Sequence, residues 1–207
     1  YSKYKQLKGN KRQQIRWKKN RLKAYNGSTV HFFKAAIQNK ILQEGFLVNQ
    51  FKRVPNPERP SEDEIKKARK LVWFSGTKIN FSKKIDQPKN AIDSAIAILK
   101  KVKLPKFKNY VYKTIVPQSE IISIKNTIPY IDFDDNLSVI YSKRKRIVSR
   151  KPIKVSYQTS SIILVKRPSK ISKNGTLYNP LDVYYDGYWS NQKFANSLPV
   201  DYEPEKK

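Results

Sequence analysis

Two long stretches of this chain contain no acidic residue, and charge at that density works against compaction. Residues 1–43 lack Asp and Glu but carry Lys3, Lys5, Lys8, Lys11, Arg12, Arg16, Lys18, Lys19, Arg21, Lys23, Lys34 and Lys40. Residues 136–181 repeat the pattern with Lys143, Arg144, Lys145, Arg146, Arg150, Lys151, Lys154, Lys166, Arg167, Lys170 and Lys173. Like charges so close together repel one another. A chain tolerates that when its surroundings supply the missing anions. The densest polyanion available is a nucleic-acid backbone, where neutralising phosphates releases condensed counterions and drives association.

The rest of the composition allows a modest core beside such segments. The formal net charge is +28 over 207 residues, and 38% of the chain is hydrophobic, somewhat below the roughly 45–50% usual for globular chains. Apolar and aromatic residues nevertheless recur throughout, which argues against full disorder. There is no Cys, so disulfides, thiolate zinc sites and Cys nucleophiles are excluded. No apolar run approaches the roughly 20 residues of a membrane-spanning helix. The chain has no Met, even at position 1. Its start is therefore expected to be missing, through removal of an organellar transit peptide or through a disordered end.

Read along its length, the chain predicts an α+β fold: a small helical body, then a β-rich segment, with an extended basic N-terminal arm and a C-terminal tail. Residues 1–27 form the arm, with a helix over 11–24 once phosphates neutralise it and fluctuating structure before that. Residues 28–104 are the helical region. Ser28 or Thr29 caps a helix in which Val30, Phe33, Ile37 and Ile41 share a face, and Gly45 ends it. The Pro-rich stretch 54–60 reads as a loop. Ser61-Glu62-Asp63-Glu64 is a capping box opening a second helix, with Ile65, Ala68 and Val72 inward and Trp73-Phe74 near its end. A third starts near Gln87-Pro88 and runs to about Val102 on Ile92, Ala95, Ile96 and Leu99. Residues 105–197 are β-rich with basic loops, with strands expected at 110–116, 120–124, 138–141, 153–157 and 161–166. Asn174-Gly175 and Asp186-Gly187 are hairpin-turn dipeptides. Residues 198–207 are the tail.

The constellation with most to say is basic residues interleaved with aromatics. Tyr1, Tyr4, Trp17 and Tyr25 lie in the arm, and Tyr141 precedes Lys143, Arg144, Lys145 and Arg146. Cations neutralise phosphates while rings stack on unpaired bases. The candidate RNA-binding set is Lys3, Lys5, Lys8, Lys11, Arg12, Arg16, Trp17, Lys18, Lys19, Arg21 and Lys23, with Lys143, Arg144, Lys145, Arg146, Arg150 and Lys151. The plainer alternative for any one charge run is a solvated face.

The remaining candidates for chemistry are few. Asp132-Phe133-Asp134-Asp135 is the tight carboxylate cluster. Alternation would put Asp132 and Asp134 on one side, where they could hold Mg²⁺ for phosphodiester cleavage; the alternative is a solvated turn before the next strand. His31 is the one histidine, so a His pair cannot exist, and its place at a helix start makes it structural. Neither G-x-G-x-x-G nor G-x-x-x-x-G-K-[ST] occurs. The aromatic patch Tyr184-Tyr185-Asp186-Gly187-Tyr188-Trp189 fits a hairpin with cross-strand ring pairs or a docking surface.

Lys-rich arms, a small α+β body, no catalytic set and a missing start make the chain resemble a mitochondrial ribosomal protein. The resemblance covers composition and organisation and includes no family motif. It implies a structural, non-enzymatic role in the mitochondrial matrix, with ribosomal RNA and neighbouring ribosomal proteins as partners. It implies no cofactor, no small-molecule substrate and no membrane span. The alternatives are a Mg-dependent nuclease or RNA-processing factor using Asp132, Asp134 and Asp135, or a DNA-compacting or membrane-surface basic protein.

Overall fold

The protein was studied as a computed structural model. It describes residues 7–76, 78, 87–150, 153–192, 197–199 and 202–204, with backbone alone at 144–150 and 153–156. The fold is α+β, as the sequence predicts. In chain order the described residues form α1 (Lys11–Tyr25), α2 (Thr29–Ile37), β1 (Phe46–Pro55), α3 (Glu62–Ser75), α4 (Ala91–Lys100), β2 (Phe107–Lys113), β3 (Ile122–Lys125), β4 (Ile128–Ile131), β5 (Asn136–Arg150), β6 (Ile153–Leu164), β7 (Ser169–Lys170) and β8 (Val183–Gly187). A five-stranded sheet has the order β2-β1-β5-β6-β8, and a three-stranded sheet the order β3-β4-β7. The chain divides into a larger unit, Tyr1–Lys52 with Val111–Lys207, and a smaller unit, Arg53–Tyr110.

In the larger unit one apolar cluster joins Phe32, Phe33, Ala35 and Ala36 of α2 to Phe46, Val48, Leu137, Val139 and Ile162 of the main sheet. It continues into Ile122 and Ile131 of the small sheet and to Trp189. Ser28 caps α2 by accepting the His31 N–H. The helix predicted to reach Gly45 stops at Ile37, because Asn39 adopts a left-handed φ of 55°. The Lys40 N–H then bonds the Ala35 carbonyl at 2.8 Å and the Asn39 N–H bonds Ala36 at 3.2 Å. That pair is the Schellman closure, which Asn supports nearly as well as Gly. Ile41, expected on the helix face, is buried by the turn instead.

The early stop releases residues for β1, which falls inside the stretch read as helical. Its Phe46, Val48 and Gln50 alternate inward, and it pairs antiparallel with β5 from Phe46↔Tyr141 to Phe51↔Asn136. β1 also takes in Val54 and Pro55, so the irregular loop begins only at Asn56. The strands predicted at 153–157 and 161–166 are one strand, β6, and Ser138–Tyr141 is part of a much longer β5. Asn174-Gly175 turns as expected, with the Ile171↔Leu177 bridge behind it. Asp186-Gly187 does not form a hairpin. A Cβ on Gly187 would lie 2.7 Å from the Thr159 carbonyl oxygen, and the chain passes from β8 into a single 3-10 turn at Trp189–Asn191.

The smaller unit is built on α3 and α4. Ser61 and Glu64 form the predicted capping box, and Gly76 closes α3 at φ 63°. Ile65, Ala68 and Val72 bury against Ala95, Ile96 and Leu99. The start of α4 lies three residues beyond Pro88, because Asn90 accepts the Asp93 N–H at 2.7 Å and takes the capping position.

Candidate nucleic-acid interface

The arm is helical over Lys11–Tyr25. Asn10 caps α1 by accepting the Gln13 N–H at 2.9 Å, and the Gln13 side chain returns a bond to the Asn10 N–H at 2.9 Å. Two otherwise orphaned N–H groups are satisfied in this way. Trp17 folds over Gly9 so closely that a Cβ there would lie 2.5 Å from the indole. Trp17 is therefore half-buried on its own N-terminal turn, a packing role that its place in the RNA-binding set did not anticipate. The residue that α1 buries is Tyr25, at its last position.

The charges of α1 point into solvent. Lys8, Lys11, Arg12, Arg16, Lys18, Lys19 and Lys23 are exposed and Arg21 is half-exposed. Arg12, Arg16, Lys19 and Lys23 recur at i, i+4, i+7 and i+11, which places them on one line along the helix. No acid stands in the first turn, so the helix dipole is left uncompensated at the end where a phosphate is best received. Fifteen residues make a rod of about 22 Å.

α1 ends in a junction where Gly27 is bonded on both sides. Its N–H donates to His31 Nδ1 at 3.0 Å, and its carbonyl accepts from Trp189 Nε1 at 2.8 Å and from Gln158 Nε2. Gly27 sits at φ +77°, and a Cβ would fall 2.6 Å from the Tyr141 ring. Only glycine fits this conformation and this approach. Because Nδ1 of His31 accepts, the ring proton is on Nε2, which donates to Glu44 at 3.1 Å. The imidazole lies among Tyr25, Phe46 and Tyr141, with centroids 4.7, 4.9 and 5.8 Å away. Burial holds the His31 pKa below its ordinary value against the pull of Glu44, with Lys143 and Lys34 acting in the same direction as burial. Burial, with Glu44 and Glu203 nearby, pushes the Tyr25 phenol up to about 12.

The second basic stretch forms a ribbon rooted at the same place. β5 and β6 pair from Asn136↔Ile163 to Arg150↔Ile153. Their flanking strands stop early: β1 reaches only Tyr141, and β8 begins its pairing at Ser160. Beyond Tyr141↔Gln158, among the described residues, β5 and β6 pair only with each other. Three residues of β5, 142–144, face none of β6 between the Tyr141↔Gln158 and Lys145↔Tyr157 pairs. Such a bulge re-aims the strands beyond it. From there the pair runs on for six β5 residues to Arg150, about 20 Å. The bulge is pinned by Ser142, whose N–H and Oγ both donate to the Gly45 carbonyl, at 2.8 and 2.9 Å.

The structure thus brings most of the sequence-predicted cations onto two projections with one foot. Lys11 to Lys23 lie on α1, with Lys8 just before its cap, and Arg144, Lys145, Arg146 and Arg150 lie on the ribbon backbone. Lys143 is committed to the foot, since its amine donates to the Gln43 carbonyl at 3.0 Å. Lys3, Lys5, Lys151 and the arm's Tyr1 and Tyr4 lie outside the described residues, as does half of the predicted tail. The sequence reading missed the foot itself: Gly27, His31, Tyr141, Gln158 and Trp189. Its one local signal is the lone His31, four residues after Gly27, at the helix start.

The carboxylate cluster has cationic partners. Phe133 is buried between Asp132 and Asp134, so the predicted alternation holds and both aspartates face one way. They grip Arg167, whose Nε and Nη1 donate at 2.9 and 2.7 Å. Asp134 and then Asp132 raise the pKa of that guanidinium above its ordinary value. Asp135 accepts from the Tyr112 hydroxyl at 2.7 Å and pairs with Lys52 at 3.5 Å, while Glu120 pairs with Lys113. These groups line an open cleft of about 810 Å³. A metal ion there would have to displace Arg167. Among the described residues, no group of three or more His, Cys, Asp or Glu side chains is placed to hold one.

Among the described residues, no helix is long and apolar enough to cross a membrane. No protein-family model, no curated protein and no solved structure matches the chain.

Proposed function

We propose that the chain is a structural, polyanion-binding protein that engages a nucleic-acid backbone with two cationic projections, α1 and the β5–β6 ribbon. One observation carries this reading: a part of each acid-free stretch, α1 in one and the β5–β6 ribbon beyond Tyr141↔Gln158 in the other, lies outside the core, and the two are rooted together at Gly27, Tyr141 and Gln158. A basic helix and a two-stranded ribbon are both shapes that follow or enter a nucleic-acid groove. Their cations screen phosphate repulsion and let strands approach one another. The resemblance to mitochondrial ribosomal proteins narrows the partner to ribosomal RNA and adds neighbouring ribosomal proteins.

The test is to titrate the full chain with an RNA duplex at several salt concentrations. The expected result is an association constant that falls steeply with salt, with a log–log slope of at least about 5 in magnitude. Lack of binding at low salt overturns the reading. Co-sedimentation with mitochondrial ribosomes tests the finer assignment separately, and a chain that stays at the top of the gradient removes it.

A second reading, attachment to an anionic membrane surface, is favoured by one feature of α1. Leu7, Ile15 and Leu22 are 71, 67 and 38% exposed, and Ile15 and Leu22 share a line with Lys11 and Lys18. Apolar side chains flanked by lysines are how an interfacial helix lies on acidic lipid. Binding to phosphatidylserine vesicles without binding to RNA would move the function there.

A further inference from the structure

α3 carries its acids in the first turn and its bases in the middle. Glu62, Asp63 and Glu64 occupy the first turn. Lys66, Lys67, Arg69 and Lys70 follow, and Trp73 and Phe74 then stand 82 and 83% exposed in the last turn. The helix is held to α4 by Ile65, Ala68 and Val72 on the other side. At about 100° per residue, Trp73 lies one turn beyond Arg69 and Lys70, and Phe74 one turn beyond Lys70. Each ring therefore has a cation one turn below it. A Cβ on Gly76, the C-cap, would meet no atom of the described residues within 4 Å.

The two rings do not form a flat apolar patch. Successive residues point about 100° apart, so the rings splay rather than stack on each other; Leu71, 40% exposed, lies one turn before Phe74 but roughly 160° away from Trp73. A protein or lipid partner would need contiguous apolar surface. Two separate π-faces with cations between them suit successive unpaired bases joined by phosphates.

We propose that the C-terminal half of α3 is a stacking platform for single-stranded nucleic acid, with Trp73 and Phe74 receiving bases and Lys66, Arg69 and Lys70 holding the phosphates. This rests on the reading that the chain binds nucleic acid, and adds a single-stranded substrate class and a site in the smaller unit. The test compares the full chain with its Trp73→Ala/Phe74→Ala variant on an oligouridylate of about 12 nucleotides and an RNA duplex of about 16 base pairs. The expected result is a loss of about tenfold or more on the single strand, with duplex affinity within about twofold. Trp73→Phe/Phe74→Tyr, which keeps both π-faces, should retain single-strand binding.

Unchanged single-strand affinity in the double Ala variant overturns the proposal, as does a wild-type chain that binds duplex but not oligouridylate. Both outcomes leave the general nucleic-acid reading standing. A wild type that binds neither removes both. A variant that loses only vesicle binding, or only association with another protein, shows that the rings serve a different partner and also overturns it.

Discussion

α1 and α3 are nearly matched as helices and differ in almost everything that happens to them afterwards. They have 15 and 14 residues, and each opens on a reciprocal capping box, Asn10–Gln13 in one and Ser61–Glu64 in the other. α3 has three acids in its first turn and an apolar line of Ile65, Ala68 and Val72 that α4 covers. α1 has no acid in its first turn, and along its length it buries only Tyr25. The same capping chemistry therefore starts a core helix in one place and a solvated cationic rod in the other. Capping decides where a helix begins. Whether it is stable without a partner depends on the face it can bury. Of the two, α1 is the helix with the smaller buried face.

The largest expected effect breaks the comparison at charge. Replacing Arg12, Arg16, Lys19 and Lys23 with Gln should lower duplex-RNA affinity at about 100 mM salt by about a thousandfold and reduce the salt slope by about 3 to 4. The matched change of Lys66, Lys67, Arg69 and Lys70 should move the duplex slope by less than about 1. Equal losses from the two sets would show that charge acts without regard to which helix carries it.

Packing comes next. Ile65→Ala should cost about 2–4 kcal/mol in chemical denaturation, since that side chain is 1% exposed and leaves a cavity. Ile15→Ala should cost less than about 0.5 kcal/mol. A large loss at Ile15 would mean that α1 buries a face after all.

The foot of α1 adds a histidine titration, which α3, having no histidine, lacks. His31 has a folded pKa below its unfolded value of 6.5, so below that pH the unfolded chain binds more protons. Stability of the larger unit should be fully present above pH 6.5 and fall as the pH drops through the folded value. Thermal melts in that window should show the decline in the wild type and a shallower one in His31→Gln. A wild-type melting temperature that rises on acidification would contradict the buried neutral imidazole.

The smallest effect concerns the caps. Ser61→Ala should cost about 1 kcal/mol of cooperative stability. Asn10→Ala should instead reduce helical circular dichroism while leaving the main unfolding transition within about 0.5 kcal/mol.

Much of this was legible in the chain because it is local. The Ser61 capping box, the inward line of α3 and the limits of α1 to within a residue or so follow from neighbouring side chains. Alternation in Asp132-Phe133-Asp134 correctly placed both aspartates on one side. Their partner was invisible, because Arg167 is 33 to 35 positions away. β1 is not predicted because Gly45 serves as the expected helix stop, whereas the chain turns at Asn39 and leaves Phe46 and Val48 to alternate as a buried strand does.

Composition and local pattern by themselves determined the α+β class and the positions of the two acid-free stretches, because charge density and periodicity are properties of neighbours. Tertiary structure alone decided that these stretches share one foot. Gly27 is held there by Gln158 and Trp189, which lie 131 and 162 positions along the chain. A glycine at φ +77° against a tyrosine ring acquires its meaning only when strands that distant have found their register, and register is set by the whole sheet rather than by any segment of it.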